Sequence, residues 1–187
     1  MKIKLKQFIP KECCLKCDGC CRFIDKKSQW VPRIAKSEIL KILKSGFPQH
    51  LFSKLNKNDN QLNLVNYKGI NICAFLFPQT NRCKIYNNRP FDCQLYPFIL
   101  MRNREKIFLS VHLACPFVKE NLEKREFKNY LTYLKEFLNK KGISSFIRKN
   151  IFLAQDYDNF QDEIKLLFCL DNKKLSLHEN KASCVQR

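Results

Sequence analysis

The sequence predicts an α+β fold, a small cysteine-rich layer of short strands and loops packed against several helices. Two observations predict it. Between residues 62 and 114, short apolar runs are separated by turn-forming residues, the pattern of successive hairpins. Beyond Pro116 the apolar residues recur at three- and four-residue steps, the period of a helix.

Taken in order, residues 1–23 are cysteine-dense and read as irregular, except for a short strand at 3–8 where apolar and basic residues alternate. A helix follows, with Ser37 as its cap and Glu38 in its positive first turn. Ile39, Leu40, Ile42 and Leu43 form its apolar stripe, and Gly46 with Pro48 stops it. Strand-like runs at 62–67, 70–77, 82–86, 96–101 and 107–113 are divided by Lys68-Gly69, Pro78-Gln79-Thr80-Asn81, Asn87-Asn88 and Asn103-Arg104. Phe127, Tyr130, Leu131, Leu134, Phe137 and Leu138 mark a long helix that ends before Gly142. A second helix is expected from Ser144 or Ser145, and a third from Asn159 through Ile164, Leu167 and Phe168. The expected organisation is a single domain over 1–187, with a cysteine-cluster core at 14–116, a helical part at 119–170 and a loose tail at 171–187.

The 187 residues suffice for one core, and a 45% hydrophobic content with 16 phenylalanines excludes disorder over most of the length. The formal net charge of +18 is spread as +9, +5 and +4 over residues 1–60, 61–118 and 119–187. No dense basic arm emerges, so nucleic-acid binding rests on net charge alone. The first ten residues lack the apolar run of a secretory signal, and no stretch is long enough to span a bilayer. A cytoplasmic protein with no membrane partner is therefore expected.

The 11 cysteines, about 6% of the chain, exceed what an ordinary cytoplasmic protein carries. In a reducing compartment such thiols point to metal or redox chemistry. The densest run is Cys14-Leu15-Lys16-Cys17-Asp18-Gly19-Cys20-Cys21, where two-residue gaps let several sulfurs face one centre and Gly19 eases the turn. Thiolates crowded without a cation repel one another, and a bound metal removes that penalty. Cys73, Cys83 and Cys93 follow at equal nine-residue gaps, and then Cys115.

Several joined pieces carry a family resemblance. They are Cys14, Cys17, Cys20, Cys21 and Arg22; Cys73-Ala74-Phe75-Leu76; Cys83-Lys84-Ile85-Tyr86-Asn87-Asn88-Arg89-Pro90-Phe91-Asp92-Cys93 with Tyr96-Pro97-Phe98; and Cys115-Pro116. Together they resemble the CxxCxxCC zinc- or iron-chelating domain family, the YkgJ-like cysteine cluster proteins. The resemblance implies a cysteine-liganded metal or iron–sulfur centre, with Cys14, Cys17, Cys20, Cys21, Cys73, Cys83, Cys93 and Cys115 as its ligands. The family includes flagellin lysine N-methylases, longer chains that use S-adenosylmethionine. With 4 glycines this chain has no Gly-x-Gly-x-x-Gly cradle, so that cofactor is expected only if the chain is a methylase-like member.

All eight matched residues are sulfur donors, and His50, His112 and His178 form no paired zinc-finger spacing. Cys14, Cys17 and Cys20 reproduce the opening of a bacterial ferredoxin motif, and Cys115-Pro116 its remote Cys-Pro. An iron–sulfur centre is favoured, zinc is the alternative, and eight thiolates suit two four-ligand centres or one centre plus structural thiols. Cys13, Cys17 and Cys20 also fit the spacing of radical S-adenosylmethionine enzymes, but the chain shows no repeated strand–helix alternation to build their barrel. Cys13 is read as a packing or accessory thiol.

Other residues have plainer roles. Arg89 is expected to bridge loop carbonyls near the thiolates, and Tyr86, Tyr96 and Phe98 to be strand core. His112 is expected to be hydrogen-bonded within its strand, outside the site. Cys169 is placed on the apolar face of the last helix, buried and inert, and Cys184 in the polar tail, free. The leading function is an electron-transfer or structural cysteine-cluster protein with a redox or other protein partner. The alternatives are an enzyme of the protein lysine N-methyltransferase-like or redox type, and a zinc-containing nucleic-acid-binding module.

Overall fold

The computed structural model describes residues 3–54 and 60–170, with Lys54 described by its backbone alone. The architecture is α+β, built from several small antiparallel sheets and helices. The 171–187 tail and Cys184 lie outside the described residues.

Two hydrophobic cores organise the chain. The first is formed by the strands β8 (Phe98–Asn103), β9 (Lys106–His112) and β10 (Ile164–Cys169) under the helices α5 (Arg125–Asn139) and α6 (Lys141–Lys149). The β8–β9 register sets Phe98 opposite Val111 and Leu100 opposite Leu109. All four side chains face the helices because side chains two residues apart share a sheet face. From α5, Phe127, Tyr130, Leu134, Phe137 and Leu138 descend into this core, as the helical spacing predicted.

The second core gathers α2 (Lys36–Lys44) over the sheet β1–β5–β4 (Arg22–Phe23, Ile70–Cys73 and Leu64–Tyr67). Two further strand pairs complete it, β2–β3 (Phe52–Lys54 with Asn60–Leu62) and β6–β7 (Leu76–Phe77 with Arg82–Cys83). The expected Lys68-Gly69 and Asn103-Arg104 hairpin turns are present, whereas Asn87-Asn88 lies in a 3-10 turn (Tyr86–Asn88) that leads into a helix rather than a strand. Lys68 and Gly69 both have positive φ (51° and 84°), the conformation of a two-residue turn whose twist matches antiparallel strands. Gly46 ends α2 at φ 88°, where a side chain would strain the backbone.

Several expected elements differ. Residues 3–8 form no strand: side chains take the place of a neighbouring strand, with the Leu5 N–H donating to Gln94 Oε1 (3.1 Å) and the Lys6 N–H to Tyr133 Oη (3.0 Å). Helix α2 starts at Lys36 after Ala35, so Ser37 is not its cap. Instead the Glu38 carboxylate accepts the N–H of Ala35 at 3.0 Å. The long helix expected through Phe127 to Leu138 is α5, a separate short helix α4 (Pro116–Asn121) precedes it, and Gly142 lies inside α6.

The 119–170 part is not wholly helical, because the third expected helix is the strand β10, preceded by a 3-10 turn at Asp158–Glu163. Its apolar spacing suited either structure. The outer edge of β9 decides, since its backbone groups need partners and β10 supplies them from Ile164↔His112 to Cys169↔Phe108. Cys169 accordingly stands half-buried on a strand, its thiol 3.6 Å from the Leu170 carbonyl. Among the described residues, no helix is long and apolar enough to cross a membrane.

Candidate metal centre

The cysteines reach one cavity from both cores and from the loop that precedes β1. Helix α1 (Lys11–Leu15) carries Cys13 and Cys14, and N–H bonds from Lys16 to Cys13 O (3.2 Å) and from Cys17 to Cys14 O (3.3 Å) curl the chain after them. Gly19 has no positive φ, so its expected role in easing the turn is not what fixes it. A Cβ there would stand 3.4 Å from the Cys17 sulfur, an ordinary contact, so Gly19 lies directly beside that thiol. Cys21 precedes β1 and accepts the N–H of Cys73, at the end of β5, at 3.0 Å. Cys83 sits in β7 opposite Leu76. Cys93 lies in α3 (Phe91–Leu95), and Cys115 precedes α4 as its cap residue.

Asn81, expected only as a turn residue, and Arg22, expected only as part of the motif, fasten these pieces. Asn81 donates to Leu15 O (3.0 Å) and to Asp18 Oδ1 (3.3 Å), while Arg22 donates to Asn81 Oδ1 (2.6 Å). The β6–β7 turn is thereby tied to the Cys14–Cys21 loop. Asn81 has φ 53°, so an asparagine at a turn was the available signal.

All eight expected ligands, and Cys13 with them, line one cavity of about 600 Å³. Every one is a free thiol, so disulfides do not account for them. Among the described residues, no three His, Cys, Asp or Glu side chains are grouped as around a single metal ion. The sulfurs are thus distributed over the cavity wall rather than closed on one point. His112 is absent from that wall. Its Nδ1 is 3.1 Å from Tyr96 Oη, its Nε2 is 3.3 Å from Glu163 Oε2, and Trp30 stacks on its ring at 3.7 Å.

The electrostatics disfavour ionisation of most of these thiols without a cation beside them. Burial pushes Cys14 up to about 11 and Cys73 up to about 12, and it lifts Cys83, Cys93 and Cys115 as well. Neighbouring sulfurs add repulsion, as Cys20 and Cys115 do at Cys14. Cys20 alone moves down, to about 7, because the Cys21 thiol hydrogen-bonds it and Arg89 and Arg22 supply positive charge. Cys21 rises in exchange, first through that bond and then through burial.

Arg89 is a cation on the same wall. It lies 4.2 Å over the Tyr86 ring and donates from Nη2 to Gln7 Oε1 (3.0 Å), so it does not bridge loop carbonyls as expected. Its Nε is buried and has no hydrogen-bond partner. A buried donor without a partner costs about 1–3 kcal/mol, so an acceptor in the cavity would satisfy a standing need. Its charge favours the thiolates of Cys14, Cys20, Cys83 and Cys93.

Of the aromatic residues expected in strands, Phe98 is buried there, but Tyr86 is exposed beneath Arg89 and Tyr96 ends α3 on the cavity wall. Asp92, also on the wall, is pushed up to about 7 by burial and accepts the Arg33 N–H at 2.8 Å. Spacing gave no hint of it, because its partner is 59 residues away in sequence.

The donor set, free thiols beside a cation whose Nε lacks an acceptor, fits a thiophilic metal centre. The family model of the CxxCxxCC domain, described as "putative zinc- or iron-chelating domain", matches residues 13–116, and the chain belongs to that family. No curated protein and no solved structure matches it.

Proposed function

We propose that Cys14, Cys17, Cys20, Cys21, Cys73, Cys83, Cys93 and Cys115 hold iron with sulfide, in a cytoplasmic protein whose centre carries electrons or stabilises the fold. One observation carries the reading: eight free thiols line a single cavity together with the cation Arg89. The all-sulfur donor set favours iron–sulfur over zinc, which more often recruits imidazole as well. Tyr96 and Phe98 on the wall cover part of the site, and Arg89 offsets anionic charge. Bound iron–sulfur would supply one-electron chemistry, and the protein's own share is to hold the thiolates, exclude solvent and donate from Arg89.

Anaerobic purification of the full chain, followed by iron, zinc and acid-labile sulfide analysis with a visible spectrum, tests the reading. Iron and sulfide in similar amounts, with absorbance that bleaches on reduction, are expected. A colourless protein holding zinc alone would overturn the iron–sulfur assignment. A protein that takes up no metal would overturn the site itself.

A further inference from the structure

We infer that the rim formed by α1, the β6–β7 hairpin and residues 86–89 docks an acidic segment of a partner protein. This goes beyond the metal-binding reading, because the charge and the exposed rings of the rim stand whatever the thiols hold.

Charge selects the partner. Residues 74–91 carry Arg82, Lys84 and Arg89 and no acid. Residues 11–22 add Lys11, Lys16 and Arg22 against Glu12 and Asp18, and Arg22 already pairs with Asp18 at 3.3 Å. The two segments are held side by side, since Asn81 in the hairpin turn donates to Leu15 O and to Asp18 Oδ1. Lys11, Lys16, Arg82 and Lys84 are exposed, and Lys11, Arg82 and Arg89 line the cavity itself. The acids on that lining are Asp92 and, on α4, Glu120.

The aromatic residues decide between kinds of polyanion. Tyr86 and Phe77 are exposed, by 39% and 49%. Neither ring is bare: Arg89 lies 4.2 Å and Lys11 Nζ 5.7 Å from the Tyr86 centroid, and Lys84 Nζ 5.1 Å from that of Phe77. Phe77 pairs with Arg82 across the hairpin and Lys84 stands two residues on, so the ring and both cations share one face. A single-stranded nucleic acid needs open ring faces on which its bases stack. Rings that carry cations instead hold those charges in place, which suits carboxylates. Exposed Tyr and Arg are also residue types that anchor protein interfaces. Cys14 and Cys20 are exposed on the loop tied to the hairpin, so an acidic segment seated here lies beside the thiols.

Fluorescence anisotropy of a fluorescein-labelled oligoglutamate peptide with the full chain tests the inference, at about 0.1 M salt, where charges more than about 10 Å apart are largely screened. Wild type is expected to bind the peptide, and the double variant Lys11→Glu/Arg82→Glu to bind it about tenfold more weakly. Tyr86→Ala should weaken binding about fivefold. Lys141→Glu/Lys149→Glu makes the same charge change at exposed positions of α6, on the other core, and should alter affinity by less than about twofold. Circular dichroism and metal content, measured on each preparation, distinguish a lost docking face from a lost fold or centre. Lys11→Glu/Lys16→Glu replaces the first double variant if that one does not fold. Equal weakening by the rim and α6 variants would reduce the effect to net charge and overturn the inference, as would no binding by wild type. A rim that prefers labelled oligothymidylate of equal charge, or phosphatidylserine vesicles, to the peptide would overturn it in favour of a nucleic acid or a membrane.

Discussion

Replacing Arg89 probes the site without touching a ligand. Arg89→Gln removes the positive charge that favours the thiolates of Cys14, Cys20, Cys83 and Cys93, together with the buried Nε donor. A hydrogen bond to a charged acceptor contributes about 1.5–3 kcal/mol, which is roughly ten- to hundredfold in metal affinity at one decade per 1.4 kcal/mol. The metal-free fold should lose less, about 1 kcal/mol, for the Gln7 bond and the stacking on Tyr86. Competition for zinc or cobalt against a chelator of known affinity measures the first quantity, and urea unfolding of the metal-free chain the second. Arg89→Lys, which keeps the charge but loses the planar fork, should recover part of the affinity. Equal metal affinity in wild type and Arg89→Gln would refute the assignment of Arg89 as the counter-charge of the centre.

Cys17→Ser and Cys93→Ser should lower metal content and thermal stability, since coordination is coupled to folding, whereas Cys169→Ser, on the far strand β10, should leave metal content unchanged by elemental analysis. Leu134→Ala, at a fully buried position of α5, should cost about 2–5 kcal/mol in denaturant unfolding. Burial holds His112 below its ordinary value of 6.5, so the unfolded chain binds that proton first as pH falls. The stability this residue contributes is present above its ordinary value and lost as pH drops toward the folded one. The melting temperature of His112→Gln should consequently fall less than that of wild type between about pH 7.5 and about pH 5.5.

How much of this was legible beforehand depended on the range of the interactions. The α5 stripe of Phe127, Tyr130, Leu134, Phe137 and Leu138 is a local pattern, and the Lys68-Gly69 turn is fixed by backbone sterics. Both were readable directly. Strand β10 was not, because Ile164, Leu167 and Phe168 suit a helix as well as a strand and only the open edge of β9 decides between them. The same holds at the site. Cysteine spacing named the thiols, but the Asn81 and Arg22 clasp, the buried Asp92 and the position of Arg89 over Tyr86 depend on contacts between distant segments. Glu38 is a further case. Its acidic place in the first turn was evident, yet its second carboxylate oxygen also accepts the Phe91 N–H at 2.8 Å, anchoring the helix that carries Cys93.

Thiol accessibility gives the most direct measurement of the central claim. The anaerobically purified chain is treated with an alkylating reagent before and after acid and chelator strip its metal, and each cysteine is scored by peptide mass spectrometry. Cys14, Cys17, Cys20, Cys21, Cys73, Cys83, Cys93 and Cys115 should resist labelling in the first sample and accept it in the second. Rapid labelling of the exposed Cys14 and Cys20 while the metal stays bound would contradict the account.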